Sequence, residues 1–358
     1  MDTQTNPLSH ELNPDEKSDK RILERMTHSP SKNPAAPQVN AVEAAQSILG
    51  SFVVLCVKLF ALFIRTLPPA IALKLIQILV KIGVTLQPKF QRIGMKNLQT
   101  AFPSLPEHDH HRLLEEHYRE LARLIRDSFS LRTFDKLWFE RCVSFPEKER
   151  YLELHKNSQT GILIATGHLG SFELLAHCAA LLDSPLSFVV RSFRPKALND
   201  WWCSERESLG NKVINRSGAF KEIVRTLRSG RDVGILFDQN VTRNHAVFVP
   251  WFSELAATTR ALALAGIQLQ APIVVSALCY AGTTKNGEDS YTLYWRKCPV
   301  EEIYQNSTLT REEKVERITS LASQMFIELI NQHPAQWFWL HRRWRTKPEP
   351  PTLPTHRT

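Results

Sequence analysis

The sequence predicts an α/β protein with a mixed, partly parallel central sheet flanked by helices. Two observations carry this reading. Short apolar runs with strand character recur at 162–165, 186–190, 212–214, 233–237, 273–278 and 291–295, and helical patterns at 172–182, 196–209, 219–228 and 259–269 separate most of them. Strands and helices alternating at these lengths argue for crossover connections and hence parallel pairing. Polar and charged residues also stand just past several of the strands, where sheets of this kind place their sites.

Composition sets outer limits. A chain of 358 residues that is 43% hydrophobic has enough apolar material for a sizeable core, as one large domain with appendages or as two domains. The formal net charge of +9 favours an anionic partner: a phosphorylated substrate, an anionic membrane, an acidic protein or nucleic acid. The six cysteines are scattered without zinc-like spacing, which suits thiols in a reducing compartment.

Residues 1–45 are polar and rich in Pro, Asn and Ser, and read as a disordered tail without the pattern of a secretory signal. Residues 46–100 read as a membrane-associated helical segment. The run Ile48–Ile64 is interrupted by Lys58 and falls slightly short of the roughly 20 residues a spanning helix needs. In the next run Lys74 and Lys81 share a helical face, with Leu75, Ile78, Leu79 and Ile82 opposite, as in a helix lying among lipid headgroups. A buried pair of core helices is the alternative. Arg65, Lys74, Lys81, Lys89, Arg92 and Lys96 all follow the first run, so a spanning segment there would put the remainder in the cytoplasm.

From 105 to 137 the apolar residues recur at helical steps. The histidines of "EHDHH" (107–111) point in different directions on such a helix and do not form a metal site by themselves.

The stretch "TGHLGSFE" (166–173) carries the most chemistry. Gly167 and Gly170 allow a tight turn, Ser171 can cap the following helix, and His168 sits at a strand end with Glu173 in the first helical turn. A carboxylate bonded to one imidazole nitrogen fixes the tautomer and frees the other to take a proton from a hydroxyl. Equally compatible with the spacing is a packed histidine beside an acid stabilised by the helix dipole. Further along, Arg191, Arg194 and Asn199 follow one strand, Arg216 ends another, and Asp238 with Gln239 ends a third. Together they suit an anion pocket, although a surface salt bridge would account for any single arginine. Thr258 and Thr259 stand where a helix start would receive an anion or would simply be N-capped.

The ordered blocks "GHLGSFE", "RSFRPKALN", "INRSG", "LFDQN", "VFVPWFSELAATT" and "HPAQWFWLHRRWRTKP" resemble the lipid A biosynthesis acyltransferases of Gram-negative bacteria, over about residues 51–348. The resemblance implies a glycerolphosphate-acyltransferase-like fold for 101–348, followed by a tail at 349–358. It also implies an acyl-acyl carrier protein donor and a phosphorylated, Kdo-bearing glycolipid acceptor, with His168 as general base and Glu173 as its partner. Arg191, Arg194, Asn199, Arg216 and Asp238 match acceptor-binding or structural positions of the family. It implies a bacterial inner-membrane location with the catalytic domain on the cytoplasmic side.

No nucleophile elbow, P-loop or dinucleotide fingerprint is present, so neither a covalent intermediate nor a cofactor or metal is expected. The aromatic and basic residues of 337–348 suit a membrane interface. They also suit stacking on single-stranded nucleic acid, but no nucleic-acid-binding motif accompanies them and no such partner is expected. Alternatives are transfer to another membrane glycolipid, thioester hydrolysis by the same pair, and a catalytically silent membrane-binding homologue.

Overall fold

The computed structural model describes residues 41–349 other than Ser217, with side chains described from Gly50 onward. Most of the polar tail and residues 350–358 therefore lie outside the described residues.

Three helices come first: α1 (Ala41–Thr66), α2 (Pro69–Leu86) and α3 (Pro88–Ala101). Prolines at the first position of α2 and α3 start each helix where a missing N–H costs nothing. In α2 the buried residues are Ala72, Ile76 and Val80, a narrow stripe at four-residue steps that packs on α4 (Glu107–Phe129). Ile71, Ile78, Leu79, Ile82 and Leu86 remain exposed, as do Phe52, Leu55, Leu59, Leu62 and Phe63 of α1. Lys74 and Lys81 thus border an exposed apolar side rather than facing away from it. By length and composition α2 is the one described helix that could cross a membrane.

The sheet domain follows as α5 (Lys136–Cys142), β1 (Val143–Ser144), α6 (Lys148–Asn157), β2 (Leu163–Thr166), α7 (Phe172–Leu181) and β3 (Ser187–Val190). It continues with α8 (Lys196–Arg206), β4 (Lys212–Asn215), α9 (Ala219–Arg228) and β5 (Val233–Leu236). The hairpin β6 (Ala246–Trp251) and β7 (Glu254–Thr259) leads to α10 (Ala261–Leu269), β8 (Ile273–Thr283), β9 (Asp289–Cys298), α11 (Glu301–Gln305) and α12 (Arg311–Gln332).

The sheet order is β1-β9-β8-β2-β5-β3-β4, and every pairing is parallel except β8 with β9. This is the mixed, largely parallel α/β architecture that the sequence predicts. Strand β2 is central and buried along its whole length, which explains why "ILIA" reads as an apolar run without alternation. Leu163 and Ala165 join one core layer with α10 and α12, whereas Ile164 joins Phe188, Val274 and Trp295 in a second layer on the other face.

One expected helix start is a strand. Thr258 and Thr259 belong to β7, and the α10 N-cap is Arg260. Strand β6 packs on α12 and buries Val249 and Trp251 either side of the exposed Pro250, whereas β7 buries Ala256, Ala257 and Thr258 in succession and so shows no alternation. The Thr258 hydroxyl accepts from the buried Arg343 at 2.6 Å, so it is not open to a ligand.

Candidate active site

Parallel register builds the site. Thr166 of β2 pairs with Leu236 of β5, so two residues further along each strand His168 and Asp238 stand side by side at the carboxyl edge. The chain leaves β2 for β3, which lies beyond β5, while β8 lies on the other side of β2. This reversal of direction opens a crevice at the strand ends.

Asp238 is completely buried. One of its oxygens meets His168 Nδ1 at 2.8 Å, and the other accepts from the His168 backbone N–H at 2.7 Å and from Trp337 Nε1 at 2.8 Å. Burial alone would push this carboxyl up, but the charge and hydrogen bonds of His168, with His341 nearby, hold it below the usual carboxylate range. An ionised Asp238 accepts the Nδ1 proton and leaves Nε2 of a neutral His168 as an acceptor. That nitrogen faces Gln239, whose side-chain nitrogen is 3.1 Å away.

Both glycines of the turn are required. A Cβ on Gly167 would lie 2.5 Å from the Asp238 carboxyl carbon. Gly170 has φ of +62°, and a Cβ there would lie 2.1 Å from the Leu278 carbonyl oxygen. The turn is also held by its backbone: Phe338 N–H donates to the His168 carbonyl, Gly170 N–H to Gln336 and Ser171 N–H to Leu278. Ser171 occupies the N-cap position of α7 but does not cap it, because its hydroxyl donates to the buried Asp127 at 2.6 Å.

The structure corrects the expected pairing of His168 with Glu173. Glu173 is held by Arg206, whose Nε donates to it at 2.8 Å and whose Nη2 meets the other oxygen. In the first turn of α7, Glu173 meets Arg206 of α8, and this ion pair takes both of its oxygens. Asp238 is likewise not a substrate-facing group, since its carboxylate is spent behind the imidazole.

In front of His168 lies a cavity of about 700 Å³. Its apolar lining includes Ile164, Phe188, Leu293 and Trp295 as well as Ile223 and Leu264. Arg191, Arg206, Arg216, Arg260 and His245 supply cationic or titratable groups to the same lining. The structure therefore brings His168, Glu173, Arg191 and Arg216 to one cavity. Arg194 is exposed and does not line it. Asn199 instead ties a loop to α8, accepting from the Phe193 N–H at 3.2 Å. Among the described residues no group of three or more His, Cys, Asp or Glu is placed to hold a metal ion.

Other contributors escaped notice in the sequence. Trp337, Trp339 and Arg343 are fully buried and Trp344 nearly so, so the C-terminal aromatic segment forms the wall behind Asp238 instead of a membrane interface. Asn97 anchors it by donating to the carbonyls of Trp339 at 2.7 Å and His341 at 2.6 Å. Spacing gives no warning of this, because the partners are more than 200 residues apart.

A profile described as "Bacterial lipid A biosynthesis acyltransferase" matches residues 42–346, nearly all of the described chain. The chain belongs to this family. Among its relatives, a lipid A biosynthesis acyltransferase of Haemophilus influenzae is 23% identical over 265 residues, covering 73% of this chain and 79% of the relative. A lipid A biosynthesis palmitoleoyltransferase of Escherichia coli K12 is 23% identical over 290 residues, covering 75% and 84%. The lauroyltransferase of the same organism is 22% identical over 275 residues, covering 75% and 83%. Within this acyltransferase family fold, the matched region contains both strand ends that carry His168 and Asp238.

Proposed function

We propose that this protein is an O-acyltransferase that moves a fatty acyl chain from acyl-acyl carrier protein to a hydroxyl of a Kdo-bearing lipid A precursor. The observation that carries the reading is the His168 imidazole, fixed by buried Asp238 through Nδ1 and presenting Nε2 to an apolar cavity.

In this reaction the acceptor hydroxyl gives its proton to Nε2 as its oxygen attacks the thioester carbonyl. Ionised Asp238 stabilises the imidazolium that forms, without itself being protonated. The carbon–sulfur bond then breaks, and the imidazolium proton passes to the departing thiolate. Arg191 and Arg216, at the cavity rim, suit the phosphates of the acceptor. The remaining basic surface suits an acidic carrier protein and anionic lipid.

The exposed apolar sides of α1 and α2, with their lysines, support association with the inner membrane from its cytoplasmic side. Purified protein incubated with acyl-acyl carrier protein and a tetra-acylated, Kdo-bearing acceptor tests the function. Acceptor-dependent transfer supports it. Release of fatty acid at the same rate with and without acceptor, or no reaction, contradicts it.

A further inference from the structure

His168 Nε2 has one in-plane lone pair, and in this structure it already has a partner. With the Nδ1 proton directed to Asp238, Nε2 can only accept, so the Gln239 side-chain amide donates to it across 3.1 Å. Gln239 follows directly after Asp238 at the end of β5; it is exposed and lines the cavity in front of the imidazole. Its position is therefore set by the same register that sets Asp238, while its side chain is exposed to the cavity.

We propose that Gln239 guards the base against water. Resting on the reading of His168 as general base, this assigns Gln239 a role at the reacting nitrogen that determines transfer over hydrolysis. One lone pair cannot accept from the amide and from an attacking O–H together, so any nucleophile must first displace Gln239. A glycolipid whose chains and phosphates bind elsewhere in the cavity supplies that displacement from its remote binding energy. A water molecule has no remote contacts to draw on. Hydrolysis, in which the water oxygen bonds to the thioester carbon, its proton passes through Nε2 to the leaving sulfur and the carbon–sulfur bond breaks, is thereby slowed while the acceptor site is empty. Once the acceptor hydroxyl occupies Nε2, the same proton path serves transfer.

The test compares the native protein, Gln239→Leu and His168→Ala, measuring fatty-acid release from acyl-acyl carrier protein without acceptor and transfer with it. A typical net hydrogen bond corresponds to roughly a fivefold equilibrium factor, so the ratio of release to transfer rises about fivefold in Gln239→Leu. In the same variant the acceptor KM falls, because the acceptor no longer competes with the amide. The Nε2 nitrogen resonance of acceptor-free His168 also moves, which a purely structural role would not require. Gln239→Met, which likewise lacks the donor, must behave as Gln239→Leu does. An unchanged ratio, or equal loss of both activities in both variants, overturns the guard. If His168→Ala abolishes both activities while the Gln239 variants keep the native ratio, only the guard fails; if His168→Ala retains both, the base reading itself fails.

Discussion

His168 and Asp238 stand the same number of residues beyond a matched pair, Thr166 and Leu236, on adjacent parallel strands. Their 2.8 Å contact is a product of sheet register, which fixes side-chain direction as well as distance. Asp238 is also spent on the backbone of the turn that carries His168, so one carboxylate sets both the position of the imidazole and its tautomer.

Glu173 is paired with Arg206. Both side chains are largely but not fully buried, so removing one partner leaves the other charge poorly solvated, and Glu173→Gln and Arg206→Gln each lower stability by about 1–2 kcal/mol. The double variant loses clearly less than the sum, as a double-mutant cycle in urea will show. Additive losses would separate the two residues and return Glu173 to consideration as a partner of His168.

Arg191 and Arg216 differ from Arg194 by lining the cavity. Arg191→Ala and Arg216→Ala each raise the acceptor KM about tenfold, the scale of one hydrogen bond to a charged group, with little change in kcat. Arg194→Ala leaves the KM within about twofold. Steady-state kinetics with acceptors bearing and lacking phosphate check both statements, since the lining arginines should matter only for the former.

Ile78, Leu79 and Ile82 are each about half exposed on α2 and do not belong to its buried stripe. Replacing all three by serine lowers sedimentation with anionic vesicles by about tenfold or more, since each side chain otherwise recovers on the order of 1 kcal/mol on entering lipid. Circular dichroism should remain native. Undiminished vesicle binding would place the membrane contact elsewhere.

Acid will destabilise the fold well above the carboxylate range. Burial pushes the pKa of His117 down to about 4, despite its hydrogen bond to the Ala335 carbonyl and with His341 acting in the same direction as burial. The unfolded state, with an ordinary histidine near 6.5, therefore binds the proton first. The stability contributed by neutral His117 is complete above about pH 6.5 and is lost as pH falls towards 4, by about 3 kcal/mol in all. Burial lowers His177, His333 and His341 in the same direction. Denaturation measured at pH 7 and pH 4.5 checks this, and His117→Gln should flatten the dependence; an equal slope in that variant contradicts the assignment.

Much of this architecture was legible in the sequence because the core strands are continuous apolar runs and the crossover helices start close to where their patterns begin. The place of His168 at a strand end was legible for the same reason, since two glycines bracket it just past a buried strand, although the spacing left a packed histidine equally open. Its partner was not. Local spacing favours Glu173, five residues away, whereas Asp238 lies 70 residues away and becomes a neighbour only once β2 and β5 are known to pair. The same limit hid the wall formed by Trp337, Trp339 and Arg343, whose aromatic and basic composition reads as a surface until the sheet edge it covers is known. The hairpin containing Thr258 was missed because its small residues fit either period.

The most direct test of the His168–Asp238 account is the acyl-transfer turnover of Asp238→Asn, measured on protein whose circular dichroism matches the native chain. Asparagine fills the same space but no longer supplies the negative charge that selects the Nδ1–H tautomer and stabilises the imidazolium. The expected result is a fall in kcat of at least about a hundredfold with acceptor KM little changed. A turnover within a few-fold of native would contradict the account.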